Sequence, residues 1–445
     1  MISGEPEDGS TQGEGVGFKA HIFSESVLGF AGASFLLKVG ALIFQTFIGV
    51  ALARALGATG LGSYSLSMAI INLLSLPLAL GFPTLSLREL SAYLAKDNKA
   101  FALGYIHRSG QIVFLTSSLV ALLCVSLLLL FREHVSSLHT SILAFFLLPL
   151  IVSNSLRTGI LRAFGRVIYA QIPDSLVRPL CFLVMLPLLL LKPTPDHALF
   201  LQIVATAIAF FIGKILLYRT SREVLGSCVP EYKSLYWLKL AFPFVFIGVM
   251  QMVNRQIDFV MLGIMKNHDD VGVYKAVSQG AMLVSFVLAS INMVQGPRIA
   301  AYWAINDKQS LQRLVTKNAR IAALGTIMIA VVIMVMAPHL LETIFGQGFV
   351  RGAMALRILC FGQIINGLSG SVGALLNMTG HEKYTLRGMG MASMTNILLN
   401  LLLVPQYGII GAAVASSISN SLWNILMIFF VNKVTRIRPT FTGLF

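Results

Sequence analysis

The sequence predicts an all-α polytopic membrane protein with about twelve transmembrane helices in two six-helix halves. Composition is the first reason: apolar residues make up 56% of the 445 residues and charged residues only 11%, which is far from a soluble domain. The second reason is that the apolar segments are continuous instead of alternating, which indicates helices rather than barrel strands. A weak internal repeat is the third.

Twelve apolar segments are long enough to cross a bilayer, because about 20 helical residues rising ~1.5 Å each span ~30 Å. Their approximate limits are 27–53, 62–83, 109–131, 138–157, 168–191, 197–218, 238–264, 271–295, 319–337, 352–378, 386–404 and 408–431.

The repeat relates the first six segments to the last six. Gly62-Ser-Tyr64 begins the second segment, and Gly272-Val-Tyr274 begins the eighth, 210 positions later. Because six crossings are an even number, both halves keep the same orientation in the membrane. The predicted parts are a disordered cytoplasmic tail (1–25), a six-helix lobe (26–218), a basic cytoplasmic linker (219–237), a second six-helix lobe (238–431) and a cytoplasmic tail (432–445).

The distribution of basic residues predicts the orientation. With both termini inside, 22 of the 33 Lys and Arg lie on the inner connections and tails, and 5 lie on the outer connections. The positive-inside rule therefore places both termini in the cytoplasm. The net charge of +15 is then explained by topology and lipid headgroups, and nucleic acid is not an expected partner.

The seventh segment carries charges well inside the membrane. Gln251, Asn254, Arg255 and Asp258 follow the i, i+3, i+4, i+7 spacing and so share one helix face. A charge at mid-membrane costs at least ~2.5–3.5 kcal/mol on insertion scales, so this face should line a wet or protein-lined interior. The polar stripe of Lys38 and Gln45 on the first segment is its equivalent under the repeat.

Both stripes are predicted to line a central cleft. The predicted binding residues are the cations Lys38, Arg178, Arg255, Lys275 and Arg357 together with the polar Gln45, Gln251 and Asn254, and the candidates for ion coupling are Asp258 and Asp174. The pairs Arg255–Asp258 and Asp174–Arg178 have the spacing of structural ion pairs, which is an open alternative. Lys275 and Arg357 lie near segment ends, where snorkelling is the alternative.

The cations inside the segments outnumber the acids six to two, which favours an anionic cargo such as a phosphate or pyrophosphate headgroup. A carrier of organic cations would instead need unpaired carboxylates. An integral-membrane glycosyltransferase or ligase is disfavoured, because the sequence has no Walker-type loop, no zinc spacing and no Ser/His/Asp arrangement above chance. No enzyme activity, cofactor or metal is therefore predicted.

Several turns resemble those of bacterial polysaccharide flippases of the Wzx type. The run Ala53-Arg-Ala-Leu-Gly57 with Gly62-Ser-Tyr64 resembles the turn after the first helix of that family. The runs Leu161–Arg166, Gln171–Pro179 and Leu376–Tyr384 are similar to other turns of the family. The resemblance covers nearly the whole chain after residue 25, and the motifs recur in lipid II flippases and multidrug exporters of the same superfamily.

The resemblance implies two six-helix lobes in a V, alternating access, and transfer of an undecaprenyl-pyrophosphate-linked oligosaccharide across the bacterial inner membrane. The oligosaccharide would serve O-antigen, capsule or exopolysaccharide synthesis, with a polysaccharide polymerase and a chain-length regulator as expected partners. An ion-coupled exporter of drugs or organic cations, or a lipid II-type flippase, is the alternative of the same fold.

Overall fold

The computed structural model describes residues 14–130, 138–226 and 228–442. Within these ranges the chain is helical and contains no β-strand. In order the α-helices are α1 (Glu14–Leu78), α2 (Phe82–Leu85), α3 (Ser91–Ala95), α4 (Lys99–Leu130), α5 (Leu138–Ala163), α6 (Val167–Ile172), α7 (Arg178–Leu191), α8 (Pro195–Leu225), α9 (Ser234–Met265), α10 (His268–Ala304), α11 (Lys308–Leu340), α12 (Ala353–Ser369), α13 (Val372–Met378) and α14 (Glu382–Thr435).

Two of the long helices are bent into hairpins at glycines. Gly57 in α1 has φ 67° and Gly408 in α14 has φ 52°, a left-handed conformation that glycine adopts without a Cβ clash. The halves of α1 and α14 therefore correspond to the predicted segments one, two, eleven and twelve. A π-helical turn (Pro173–Val177) joins α6 and α7 into the fifth segment. Nine helices in the described ranges are long and apolar enough to cross a membrane.

The helices form the two predicted lobes, and the fold class is confirmed. Helices α4 to α8 pack on one another and on α1 as the N lobe, α9 to α14 pack on one another as the C lobe, and α1 also packs extensively on α9 and α10. The lobes meet where the second half of α1 runs antiparallel to α9, with Leu66 against Gly263 and Leu76 against Gly248. A Cβ on Gly62 would overlap the backbone carbonyl of His268, and a Cβ on Gly272 that of Ala58, so the close approach of α1 to α10 requires these glycines.

At one end of the bundle, which we call the Gly57 end, polar contacts also join the lobes. Thr59 donates a hydrogen bond to Asp269 Oδ1 at 3.0 Å, and Arg351, also of the C lobe, forms an ion pair with the same carboxylate at 2.5 Å. Arg54 donates through Nε to the carbonyl of Ile344 at 2.9 Å. The N-terminal end of α10 is therefore held against the bend of α1.

Three long helices begin with polar caps. Thr194 accepts from the backbone N–H of His197 at the start of α8, and Asn267 accepts from Asp270 at the start of α10. Asp307 accepts from Ser310 at the start of α11, and this hydrogen bond holds the pKa of the Asp307 carboxyl below its ordinary value. These caps satisfy N–H groups that have no partner inside a helix.

The predicted tails and linker differ from the helix limits. Helix α1 begins at Glu14, so residues 14–25, predicted to be disordered, are helical, because extending a formed helix costs far less than nucleating one. Residues 1–13 lie outside the described residues. Helix α8 continues to Leu225, seven residues into the predicted linker. The segment after α14 is attached to the C lobe, where the Arg438 N–H donates to Gln312 Oε1 at 2.8 Å.

Candidate functional site

The polar stripe of α9 faces a cavity inside the C lobe. The cavity has a volume of about 740 Å³ and is bounded by α9, α10, α12 and α14. Helical spacing places Asn254, Arg255 and Asp258 on the wall that α9 provides. Three residues of the α9 stripe therefore line a cavity within the C lobe, whereas the cleft expected from the sequence lies between the lobes.

Small residues keep this region open and let its helices approach. A Cβ on Gly362 of α12 would come within 2.9 Å of the Ser417 Oγ of α14. Ala281 on α10 and Ala392 on α14 also line the cavity. Larger side chains at these positions would fill the space next to Asp258.

Asp258 is buried, with 7% of its surface exposed, and neutral donors surround it. The Tyr274 hydroxyl donates to Asp258 Oδ2 at 2.7 Å, and the Asn400 amide donates to Oδ1 at 2.8 Å. The Ser416 hydroxyl also donates to Oδ2. Asn396, which is buried, lies beside Asn400 and adds a further amide oxygen. Such a set of oxygen atoms can hold a proton or a hard cation.

The ion pair Arg255–Asp258, which the sequence left open as an alternative, does not form among the described residues. Arg255 is exposed and makes no ion pair with any described residue. Asp258 instead points toward α10 and α14, where three neutral donors bind its carboxylate. Spacing of i, i+3 allows the two side chains to meet, but the hydrogen bonds across the lobe determine the orientation of Asp258.

The second candidate carboxylate, Asp174, has a different environment in the N lobe. It forms an ion pair with Arg157 at 2.7 Å and not with Arg178, so the alternative of an Asp174–Arg178 pair does not hold. Arg157 is 4% exposed and also donates to the carbonyl of Ala209 at 3.2 Å. A Cβ on Gly213 would overlap the Arg157 guanidinium, so glycine there makes room for it. Arg157 lies within α5.

The other N-lobe candidates lie apart from the C-lobe cavity. Arg178 is half-buried, while Lys38 and Gln45 are exposed seven positions apart on α1. Within the described ranges, Lys38 and Arg178 make neither an ion pair nor a hydrogen bond. The side chain of Gln251, predicted to belong to the α9 stripe, lies outside the described residues.

Lys275 and Arg357 have local partners in the C lobe. The Lys275 ammonium lies 5.6 Å from the centre of the Phe259 ring, a cation–π contact. Arg357 donates through Nε to the carbonyl of Met334 at 2.9 Å. Pro338, four residues after Met334, has no N–H to bond that carbonyl, so Arg357 satisfies an acceptor that the proline leaves free. One guanidinium N–H of Arg357 is used structurally.

The sequence reasoning missed the residues that approach α9 from other helices. Asn396 and Asn400 are one turn apart inside an apolar segment, a signal that was available and not used. Ser416 lies on a small-residue face of the last segment that predicts only helix packing. Trp423 and Gln363 also line the cavity, and nothing in their local sequence marks them.

Comparisons with known proteins agree with this architecture. Agl15 of Haloferax volcanii, described as a probable low-salt glycan biosynthesis flippase, is 23% identical over 41% of this chain, and that alignment spans only 38% of the relative's own length. AglR of the same organism, described as a probable flippase, is 24% identical over 91% of this chain and 84% of its own.

Solved structures show the same fold. A multidrug resistance MATE family transporter of the MOP superfamily, in an inward-facing conformation, has a TM-score of 0.72 at 15% identity, covering 88% of this chain and 94% of its own. The lipid II flippase MurJ, in an inward closed conformation, has a TM-score of 0.68 at 16% identity, covering 91% and 87%.

The family evidence confirms the resemblance predicted from the turn motifs. The model of a family described as "Polysaccharide biosynthesis protein" matches residues 31–303, more than half of the chain. The chain is thus a multi-pass membrane protein that belongs to the polysaccharide biosynthesis protein family.

Proposed function

We propose that the protein is a flippase that moves an undecaprenyl-pyrophosphate-linked oligosaccharide across a bacterial cytoplasmic membrane by alternating access. Relatives described as probable flippases in glycan biosynthesis support the activity. The proposed identity of the cargo rests on the excess of unpaired cations. Lys38, Arg178 and Arg255 have no ion pair in the described part of the chain. Unpaired cations inside a membrane protein suit a phosphate group.

The proposed orientation follows the positive-inside count, with both termini in the cytoplasm and the Gly57 end outward. In this arrangement the polar contacts of Arg54, Thr59 and Asp269 hold the lobes together on the outer side. Outward opening would have to break them, and inward access to the cleft would be compatible with them. Alternating access is then a rocking of two lobes about their contact helices.

Ion coupling is proposed to act through Asp258 and not through Asp174. Asp258 lines a cavity and is bound only by neutral donors, so its charge is available to a proton or a metal cation. Asp174 is already neutralised by Arg157. A carrier couples two solutes when both change the balance between its conformations.

The test is transport in proteoliposomes. Undecaprenyl-pyrophosphate carrying a labelled oligosaccharide is added to one leaflet, and its arrival in the other is measured with a membrane-impermeant reagent. We expect protein-dependent transfer, lowered about tenfold or more by Lys38→Ala and by Arg255→Ala, with both variants recovered in near-normal amount. Lys214→Ala is the matched control, because Lys214 is exposed and does not line the C-lobe cavity. Wild-type transfer by both cleft variants would contradict the cationic site.

Two further substrates test the competing cargoes. A fluorescent organic cation tests the drug-exporter alternative, for which Asp258 is the candidate carboxylate because it forms no ion pair in the described chain. The same oligosaccharide on a carrier with one phosphate tests whether pyrophosphate is required. Movement of the organic cation without movement of either lipid would reject the proposed cargo and leave the fold unaffected.

A further inference from the structure

The C-lobe cavity is much larger than ion coupling requires. Its volume of about 740 Å³ falls within the ~300–1,000 Å³ typical of small-molecule pockets, whereas one water occupies about 30 Å³ in the liquid. A proton or a dehydrated cation at Asp258 would occupy only one corner. The rest of the cavity needs another occupant or bulk water.

The cavity wall offers neutral hydrogen-bonding groups that have no partner. The side-chain amides of Asn254 and Asn420 bond to no described residue. Gln363 accepts a hydrogen bond from Asn366 at 3.2 Å, while its own N–H groups are unused within the described ranges. An amide presents both donors and acceptors, which matches hydroxyl groups that also do both.

An indole ring completes the wall. Trp423 is half-buried, and its N–H has no acceptor among the described residues. A hypothetical Cβ on Gly373 would lie 3.6 Å from Cζ2 of Trp423, and one on Gly388 would lie 3.7 Å from Cζ3. The six-membered part of the ring therefore packs against glycine positions. An indole ring offers an apolar face, which can contact the C–H groups of a sugar, and one polar N–H edge. A pyranose ring carries both C–H groups and hydroxyls, so this combination suits it.

The charges of the cavity disfavour other small molecules. Among the described residues, Asp258 is the one acidic residue that lines it, and three donors already bind its carboxylate. An organic cation would have to compete with those donors. Arg255 is exposed and unpaired within the described chain, so an anionic group would meet it without displacing a partner. Neutral or acidic sugars fit these walls best.

We propose that this cavity is a glycan subsite, in which one or two sugar units of the cargo lie between Trp423 and the amides of Asn254, Gln363 and Asn420. The inference rests on the proposed function, because it assumes a lipid-linked oligosaccharide as cargo. Arg255 would receive a carboxylate of an acidic sugar. Since Asp258 lines the same cavity, sugar and coupling ion would affect each other's binding directly.

The test compares two cargoes in the same proteoliposomes: undecaprenyl-pyrophosphate carrying a neutral hexose oligosaccharide, and undecaprenyl pyrophosphate without sugar. We expect Asn420→Ala and Trp423→Leu to lower transfer of the sugar-bearing lipid about tenfold and to leave transfer of the sugar-free lipid within twofold. Trp423→Phe, which keeps an aromatic face, should retain most transfer. Ser421→Ala is the control, because its hydroxyl bonds only to Ser417 O on its own helix, at 2.7 Å.

The outcomes separate this inference from the proposed function. Equal losses for both lipids, or no loss for either, would overturn the glycan subsite while the flippase activity stands. Failure of the wild-type protein to move any lipid-linked cargo would overturn the proposed function itself. If Trp423→Leu does not fold, as judged by size-exclusion chromatography, Asn420→Ala alone decides, because it removes only a half-buried amide with no partner in the described chain.

Discussion

The two lobes hold their intramembrane carboxylates in opposite ways. In the N lobe, Asp174 is bound to Arg157 at 2.7 Å, with the guanidinium side chain 5% exposed and the carboxylate side chain 29% exposed. In the C lobe, Asp258 is bound by Tyr274, Asn400 and Ser416, and none of these carries a charge. Asp174 lies on the fifth segment and Asp258 on the seventh, which the repeat does not relate, so each environment is particular to its own lobe.

The comparison distinguishes a carboxylate that another charge neutralises from one that has only neutral partners. A buried ion pair contributes through charges that neutralise each other, and removing one partner leaves the other uncompensated. A carboxylate that only neutral groups surround has no countercharge in the protein and so remains open to a proton or a cation. The N-lobe pair should therefore govern stability, and the C-lobe acid should govern coupling.

Removing Arg157 should have the largest effect on stability. We expect Arg157→Met to lower the free energy of unfolding by about 3 kcal/mol, the lower end for a broken buried pair, because Asp174 keeps partial exposure. The thermal unfolding midpoint in detergent is the measurement. Arg178→Met is the matched control, and the double variant Arg157→Met/Asp174→Asn should recover most of the loss. If Arg157→Met and Arg178→Met destabilised the protein equally, the Arg157–Asp174 ion pair would contribute no more to stability than an unpaired arginine.

Neutralising Asp258 should have a smaller effect on stability and a larger effect on coupling. We expect Asp258→Asn to cost about 2 kcal/mol, because hydrogen bonds to a charged acceptor become bonds to a neutral amide. Transfer of the lipid-linked oligosaccharide should lose its dependence on an imposed proton or sodium gradient. Transport by this variant that still responds to both gradients as the wild type does would place coupling elsewhere.

Removing one donor to Asp258 should have the smallest effect of the three. Tyr274→Phe deletes the 2.7 Å hydrogen bond to Oδ2 and leaves the Ser416 donor to the same oxygen. We expect a loss of about 1 kcal/mol in unfolding free energy and a retained response to the ion gradient. If Tyr274→Phe abolished the gradient response as completely as Asp258→Asn, the tyrosine hydroxyl, and not only the carboxylate, would belong to the coupling site.

Much of the fold could be predicted, because bilayer crossing depends on local sequence. Segment length and continuous apolarity identify helices that span hydrocarbon, and both can be counted along the chain. The bend at Gly57 lies within the turn motif that indicated the family, and that family is confirmed. The helical start of α1 at Glu14 was missed, because composition alone does not limit how far a membrane helix extends into a polar segment.

Local sequence was enough to predict the membrane class, the twelve segments, the family and the polar stripe of α9. The partner of each charged side chain depends on the tertiary structure and could not be predicted from local sequence. Arg157 and Asp174 are 17 positions apart, and Asp258 and Ser416 are 158 apart. Spacing along a helix limits which side chains can meet locally, whereas bonds between distant helices depend on how whole helices pack. Local periodicity therefore identifies the polar faces of helices. The packing of distant helices determines that Asp174 forms an ion pair and that Asp258 lines a cavity.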